Sequence, residues 1–172
     1  YIDCYAPPHA LLDLTKQIDY KKEDPEFIIH CAGYTDVLKA ESEKHKCFHV
    51  NFWGTVNLIY RFPDIPLIYI STEYIYHPYN FYAISKLETE RYIRTKCKTF
   101  LIIRTLFKAR PFPYNMAFTD QMTRGDYVDV IAPMIISAIF RWNKETNRII
   151  DVGTERKTIF ELAKRSRPDV IP

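Results

Sequence analysis

The stretch Ile65-Pro66-Leu67-Ile68-Tyr69-Ile70-Ser71-Thr72 is an apolar run that ends in two hydroxyl side chains. Two similar runs flank it in the chain, residues 27–32, which stop at Gly33, and residues 99–104. Strands that are apolar throughout are typical of a parallel sheet whose two faces are both covered. We therefore predict that all three runs are buried strands of one sheet.

The segments between and after these runs have helical patterns. We predict helices from residue 36 to about 60 and from about 82 to 95. After Arg104, prolines and Gly125 indicate an irregular stretch, followed by a helix over about 126–142, a strand near 149–152 and a helix near 158–164. This alternation predicts an α/β fold with a Rossmann-type, doubly wound parallel sheet.

Composition excludes several classes of protein. The chain has 172 residues, of which 47% are hydrophobic, which indicates a packed globular domain with a small appendage. The net charge of +3 is spread over 24 basic and 21 acidic residues without a block of one sign, which argues against a nucleic-acid partner. No apolar run is long enough to span a bilayer, and the amino end lacks the form of a signal peptide.

The cysteines and histidines indicate neither a metal site nor disulfides. Cys4, Cys31, Cys47 and Cys97 are widely spaced, and no histidine lies at zinc-ligand spacing from them. We expect reduced thiols in a cytoplasmic protein and no bound metal. His30 lies inside a predicted strand and is expected to be a packed, hydrogen-bonded histidine.

Tyr82 and Lys86 are the pair that indicates chemistry. Four positions apart at the start of a helix, they lie on one face, about one turn apart. A phenol has a pKa of about 10, and a nearby ammonium favours the phenolate, which suits proton transfer to a carbonyl oxygen. Ser71 and Thr72 follow a strand whose carboxyl end should face the same ligand.

The Tyr82–Lys86 spacing alone is weak, since an exposed lysine beside a half-buried tyrosine is the more common reason for it. Its context is more specific. Gly33 follows one strand, Asn51 lies in the next helix, Ser71 and Thr72 end the second strand, and Arg104-Thr105 end the third. These features would rarely occur together by accident, and we interpret them as one site.

Four stretches carry a resemblance to a known family. They are Cys31-Ala32-Gly33-Tyr34-Thr35-Asp36-Val37, Val50-Asn51-Phe52-Trp53-Gly54-Thr55-Val56-Asn57-Leu58, Ile68-Tyr69-Ile70-Ser71-Thr72-Glu73-Tyr74-Ile75-Tyr76 and Asn80-Phe81-Tyr82-Ala83-Ile84-Ser85-Lys86. These stretches resemble the extended short-chain dehydrogenase/reductases, and within them the dTDP-4-dehydrorhamnose reductase group. Asp120-Gln121 and the run 127–132 look like the substrate-side segment of that group.

The resemblance implies a site and a reaction. The matching catalytic residues are Thr72, Tyr82 and Lys86. The matching cofactor-binding residues are Asp13, Leu14, Cys31, Ala32, Gly33, Tyr34, Asn51, Ser71, Tyr82, Lys86, Thr105 and Leu106. The matching substrate-binding residues are Glu73, Lys108, Arg110, Asp120 and Gln121. The implied activity is NAD(P)-dependent reduction of a nucleotide-linked keto-deoxysugar, with NADH or NADPH as hydride donor and a homodimer as one assembly.

Two domains are expected from the same resemblance. Residues 1–108 would form an incomplete NAD(P)-binding domain, and residues 109–172 a substrate-binding region with some segments that return to the main sheet. The glycine-rich turn that binds the pyrophosphate is not recognisable, because Gly33, Gly54, Gly125 and Gly153 lie far apart. We expect that turn in residues before Tyr1, and further residues around 76–78, where the interval from Thr72 to Tyr82 is short for the family.

Two alternatives stay open. Nucleotide-sugar epimerases and 4,6-dehydratases share the motifs, and dehydratases carry an acid directly after the threonine, where this chain has Glu73. A non-catalytic regulatory subunit with the same fold, like the methionine adenosyltransferase beta subunit, is the alternative from another class, and the missing glycine turn favours it. The sequence does not decide between NAD and NADP.

Overall fold

A computed structural model describes residues 4–9, 11–18 and 25–172 of the chain. The chain divides into two compact units. Unit 1 comprises residues 1–67 and 74–100, and unit 2 comprises residues 68–73 and 101–172.

Unit 1 contains strand β1 (Ile28–His30) and a helical region that is broken into four segments. These are α1 (Lys39–Ser42), α2 (Lys44–Phe48), a π-helical turn (His49–Trp53) and α3 (Gly54–Arg61). The prediction of one helix over 36–60 was therefore wrong in its continuity. Glu43 has φ −107° and ψ 41°, outside the helical region, which separates α1 from α2.

Helix α4 (Phe81–Lys96) completes unit 1 and agrees with the helix predicted over 82–95. It begins where it does because the Asn80 side chain accepts a hydrogen bond from the Ala83 N–H at 2.8 Å, a standard N-cap. A short 3₁₀ helix, Glu73–Tyr76, lies in the interval between Thr72 and Tyr82. The expectation of further residues in that interval stays a prediction.

The first residues of three strands are neighbours within unit 1. The Ile28 N–H donates to the Pro66 carbonyl at 2.9 Å, immediately before β2 (Leu67–Thr72). The Leu67 N–H donates to the Thr99 carbonyl at 3.1 Å, immediately before β3 (Phe100–Thr105). Ser71 and Thr72 belong to β2 itself, whereas the sequence pattern placed the strand end at Ile70.

Unit 2 continues β2 and β3 and adds β7 (Arg148–Asp151), which pairs parallel with β3 from Leu101–Arg148 to Arg104–Asp151. The strand order is β1-β2-β3-β7. Its core includes Ile68, Leu101, Ile102 and Ile103, each no more than 1% exposed. The predicted α/β class with a parallel sheet is confirmed.

The remaining elements of unit 2 are two helices and two pairs of very short strands. The helices are α5 (Val128–Arg141) and α6 (Ile159–Lys164). Strand β4 (Phe107–Lys108) pairs parallel with β6 (Asp126–Tyr127), and β5 (Met122–Thr123) pairs antiparallel with β8 (Lys157–Thr158). The sequence missed these pairs because two residues are too few to show a period. In the described part of the chain, no helix is long and apolar enough to cross a membrane.

Gly125 is expected to tolerate no side chain. A Cβ built there would lie 2.4 Å from the Leu106 carbonyl oxygen, a backbone atom that cannot rotate away. Gly125→Ala should lower the free energy of unfolding by about 1–3 kcal/mol, measured by urea denaturation. Gly54→Ala is the control, because its nearest contact is 3.3 Å to the Leu14 side chain and alanine favours helix α3. Equal effects of the two substitutions would contradict the packing described for Gly125.

Candidate active site

Helix α4 presents Tyr82 and Lys86 one turn apart in unit 1. Tyr82 is half-buried, and its ring lies edge-on to that of Tyr74 with 6.5 Å between centroids. Lys86 is 6% exposed. The start of α4 is held from outside as well, because Glu41 Oε1 accepts the Phe81 N–H at 2.6 Å. The residue before Tyr82 is therefore fixed by a contact from α1.

The amine of Lys86 is close to its point of half-protonation at neutral pH. Burial lowers the pKa of Lys86 to about 7, against the opposing influence of Glu90 and of the thiols of Cys31 and Cys47. A buried lysine of this kind beside a tyrosine is suited to control a proton.

Asn51 connects the turn after β1 to helix α4. It lies in the π-helical turn and is 2% exposed. Its Oδ1 accepts the Tyr34 N–H at 2.7 Å, and its Nδ2 donates to Ser85 Oγ at 2.9 Å. Ser85 Oγ in turn donates to the Tyr82 carbonyl at 2.7 Å. Three predicted residues, Tyr34, Asn51 and Tyr82, are thus joined by one hydrogen-bonded path.

The predicted cofactor turn borders a cavity of unit 1. Cys31, Ala32 and Gly33 follow β1 and are exposed. A Cβ at Gly33 would lie 3.1 Å from Asn51 Oδ1, so glycine allows the asparagine to approach closely. The cavity, about 340 Å³ in volume, is lined by Gly33, Tyr34, Thr35, Asp36, Lys39, Glu43 and Lys46.

Asp13 and Leu14 lie against α3. The Asn57 side chain donates to the Leu14 carbonyl at 2.9 Å. The Asp13 carboxylate accepts the hydroxyl and the N–H of Thr15, at 2.7 and 3.0 Å. These hydrogen bonds, with Lys16 nearby, lower the pKa of Asp13 to about 2. The pair is therefore held beside the helix that follows the Asn51 turn.

Unit 2 places predicted residues at the carboxyl ends of β2 and β3. Ser71, Thr72, Thr105 and Leu106 are each 3–6% exposed. Among the described residues, Ser71 Oγ and Thr105 Oγ1 are buried hydroxyls without a hydrogen-bond partner. Buried polar groups are nearly always satisfied, so these two hydroxyls are suited to a ligand. They fit the polar nicotinamide end of the predicted cofactor.

Glu73 and Lys108 form the second feature of unit 2. Glu73 Oε1 accepts the Thr123 hydroxyl at 2.5 Å, and Oε2 accepts the Arg124 N–H at 3.4 Å. Burial raises the pKa of Glu73, although these donors oppose the change. Burial likewise lowers the pKa of Lys108, and the negative charge of Glu73 opposes this decrease. The two predicted substrate-binding residues interact electrostatically.

The other predicted substrate-binding residues make contacts elsewhere in unit 2. Arg110 Nε lies 3.1 Å from Asp129 Oδ2, and its guanidinium lies 4.2 Å from the centroid of the Tyr127 ring. Asp120 is exposed, and the Gln121 carbonyl accepts the Ile159 N–H at 3.0 Å. Within the described contacts these three do not join the Glu73–Lys108 pair. Their binding roles stay predictions, as do those of the catalytic and cofactor residues.

Sequence reasoning missed one residue, Ser85, and one contact, that of Thr123 with Glu73, that shape the site. Ser85 lies inside the quoted Tyr82–Lys86 motif, and its position three residues after Tyr82 was the available signal. Thr123 binds Glu73 across 50 positions of sequence, for which no local pattern exists. In the described ranges, no group of three or more His, Cys, Asp or Glu side chains could hold a metal ion.

The buried amine of Lys86 predicts a pH-dependent stability. Its folded pKa of about 7 lies below the unfolded value of about 10.4, so the unfolded state binds more protons between these values. The free energy of unfolding should therefore rise by about 1–2 kcal/mol from pH 7 to 8.5. Urea denaturation at both pH values measures it. The rise should be absent in Lys86→Met, and an equal rise in that variant would contradict the assignment.

Three proteins show what the chain is similar to. A dTDP-4-dehydrorhamnose reductase of Mycolicibacterium smegmatis is 29% identical over 87% of this chain and 55% of its own length. One of Sinorhizobium fredii is 29% identical over 64% of this chain and 44% of its own length. The chain thus spans about half the length of the curated relatives it matches.

The solved structure of dTDP-4-dehydrorhamnose reductase from Bacillus anthracis in complex with NADP is similar over 95% of this chain and 70% of that chain. Its TM-score is 0.76 and its sequence identity is 25%. The predicted resemblance and the Rossmann-type fold are confirmed. Because the sequence model of the RmlD substrate binding domain matches residues 10–164, the chain belongs to that family.

Proposed function

We propose that the protein is an NAD(P)H-dependent reductase of a nucleotide-linked keto-deoxysugar, of the dTDP-4-dehydrorhamnose reductase type. The observation that carries the proposal is the path from the Gly33–Tyr34 turn through Asn51 and Ser85 to Tyr82. It ties the turn that is predicted to face the cofactor to the helix that carries a phenol and a buried amine. The substrate class is supported by the family and by the named activity of the relatives.

The cofactor assignment rests on the nicotinamide end of the site. Ser71 and Thr105, which are predicted to lie at that end, have buried hydroxyls without a hydrogen-bond partner, and the Bacillus anthracis reductase was solved with NADP. We propose NADPH as the hydride donor, and a comparison with NADH tests this choice. The four glycines of the chain lie too far apart to form a pyrophosphate-binding turn.

The proposed mechanism uses the chain's own residues for the proton. Bound NADPH would supply the hydride that reaches the carbonyl carbon. Tyr82 gives its phenolic proton to the carbonyl oxygen as the C–O double bond becomes a single bond, so the product is an alcohol. The charged form of Lys86 favours the resulting phenolate. From the family resemblance, Thr72 is proposed to donate a hydrogen bond to a substrate carbonyl oxygen and to stabilise its developing negative charge.

We also propose where in the cell the protein acts, how it is organised into domains and which residues meet the substrate. Cys4, Cys31, Cys47 and Cys97 are all free thiols, which suits a cytoplasmic protein. The incomplete cofactor domain over 1–108, the substrate-binding region over 109–172 and the homodimer stay predictions. Asp120 and Gln121 are proposed to meet the sugar, and Lys108 and Arg110 the diphosphate.

A nucleotide-sugar 4,6-dehydratase is the second candidate, and Glu73 is the observation that favours it. Burial raises the pKa of this carboxyl, which directly follows Thr72, and this is the direction expected of a general acid. A dehydratase or epimerase would hold NAD tightly and show no net redox change.

The experiment that tests the proposal is oxidation of NADPH by the full-length protein with dTDP-4-dehydrorhamnose, compared with NADH. Substrate-dependent oxidation supports the reductase. Conversion of a nucleotide sugar with bound NAD and no oxidation of NADPH supports the dehydratase or epimerase instead. Absence of NADPH and NADH binding in calorimetry, in protein that carries no bound NAD, overturns both and supports the non-catalytic subunit.

A further inference from the structure

A chain of buried hydrogen bonds runs from β1 to the turn that carries Asn51. His30 Nε2 lies 2.9 Å from Thr55 Oγ1, and Thr55 Oγ1 lies 2.7 Å from the Asn51 carbonyl oxygen. His30, Thr55 and Asn51 are 3%, 0% and 2% exposed. The expectation that His30 is a packed, hydrogen-bonded histidine is confirmed, and its partner is now identified.

The direction of each bond in this chain is determined. A carbonyl oxygen only accepts, so the single hydroxyl hydrogen of Thr55 is donated to Asn51. The Thr55 oxygen must then accept from His30, which requires that Nε2 carry the hydrogen of the ring. Burial and the positive charge of Lys86 lower the pKa of His30 to about 3, so the ring stays neutral. His30 is therefore locked as its Nε2–H tautomer.

A second hydroxyl reaches the same carbonyl from α4. Thr89 Oγ1 lies 3.2 Å from the Asn51 oxygen and 2.7 Å from the Ser85 carbonyl oxygen. Thr89 shares its one hydroxyl hydrogen between these two carbonyls, and the Asn51 carbonyl is thus the point where β1, α3 and α4 are connected. The side chain of Asn51, on the same residue, makes the bonds to Tyr34 and Ser85 that define the candidate site.

We propose that His30 and Thr55 are positioning residues: they fix Asn51 in the π-helical turn, so that its side chain holds the Gly33–Tyr34 turn against Ser85 in the helix that carries Tyr82. The catalytic part of this inference rests on the proposed function. Such positioning matters for catalysis because a displacement of about 1 Å in a reacting group can lower the rate by up to about 100-fold.

The test separates hydrogen bonding from packing. Thr55→Val keeps the volume but removes the hydroxyl, which leaves the His30 Nε2–H buried without its acceptor. Thr55→Ser keeps the hydroxyl. Thr95→Val is the matched control, since Thr95 also donates to a backbone carbonyl of α4, that of Tyr92 at 2.9 Å, but is exposed.

The first readouts need no turnover. Nitrogen NMR of the histidine rings should show His30 as a single Nε2–H tautomer from pH 5.5 to 8.5, and a mixture in Thr55→Val. Hydrogen exchange of the Tyr34 amide, which is bonded to Asn51 Oδ1, should become at least about tenfold faster in Thr55→Val. Thr55→Ser and Thr95→Val should both match the wild type. Unchanged exchange in Thr55→Val overturns the inference.

The catalytic readout uses the full-length enzyme. Thr55→Val should lower kcat about 10- to 100-fold with KM changed less than about threefold, and Thr55→Ser should restore it. Faster exchange with an unchanged kcat would overturn the positioning role. No turnover in any variant, including the wild type, contradicts the proposed function, and the exchange result still decides whether His30 and Thr55 hold Asn51.

Discussion

Replacement of Tyr82 by phenylalanine is expected to lower kcat of the full-length protein by about 10²- to 10⁴-fold. The substitution removes the proton that the carbonyl oxygen receives, while the ring and its edge-on contact with Tyr74 remain. The dissociation constant for NADPH should change little, since Tyr82→Phe deletes one hydroxyl and leaves the other predicted cofactor-binding residues unchanged. Steady-state kinetics and calorimetry on the same preparations measure both quantities.

Tyr92→Phe is the control for this prediction. Tyr92 lies on the same helix, is half-buried and packs against the Phe52 ring with 5.5 Å between centroids. Loss of its hydroxyl should leave kcat within about twofold of the wild type, because this tyrosine has no part in the proposed reaction. A Tyr82→Phe enzyme that turns over as fast as Tyr92→Phe would remove Tyr82 from the mechanism.

Lys157→Met is expected to lower the free energy of unfolding by about 3–5 kcal/mol. Lys157 and Asp126 are 3% and 4% exposed, and Nζ lies 3.3 Å from Asp126 Oδ2 and 2.6 Å from Thr154 Oγ1. Burial alone would raise the pKa of Asp126, but hydrogen bonds from the Tyr127 N–H and Thr154, with the charge of Lys157, lower it. Removal of the lysine leaves a buried carboxylate with less compensation. Urea denaturation at neutral pH measures the loss.

The exposed pair Lys98–Asp64 provides the comparison. Its side chains are 76% and 68% exposed, so solvent screens their attraction, and Lys98→Met should cost no more than about 1 kcal/mol. If Lys157→Met cost as little as Lys98→Met, the buried ion pair of unit 2 would not stabilise the protein as described.

The sequence was sufficient for elements that are long and apolar or that have a clear cap. The strands near residues 67 and 100 and the helix from Phe81 to Lys96 were predicted to within two residues. The helix predicted over 36–60 was wrong as a single element, because an interruption at Glu43 and an added residue in the π-helical turn leave the apolar pattern nearly unchanged. The spacing of apolar residues therefore reveals neither the interruption nor the added residue.

The candidate site, like the fold, could be predicted only in part from the sequence. Tyr82, Lys86 and Asn51 could be identified because they lie in short motifs with a fixed order. The partners that hold them could not, since His30 bonds to Thr55 across 25 positions and Glu73 to Thr123 across 50. The same is true of Asp126 and Lys157, which lie 31 positions apart in the sequence and form an ion pair. Such contacts depend on tertiary structure and leave no local signal.

The most direct test of the central claim is the fate of a deuterium label. The full-length protein would be incubated with dTDP-4-dehydrorhamnose and NADPH that carries deuterium at the transferable position of the nicotinamide. A reductase with Tyr82 as proton donor should give a product with one deuterium on the carbon that was the carbonyl. Tyr82→Phe should form almost none of this labelled product. Formation of a product without deuterium would contradict the account. Equal amounts of labelled product from the wild type and Tyr82→Phe would contradict it as well.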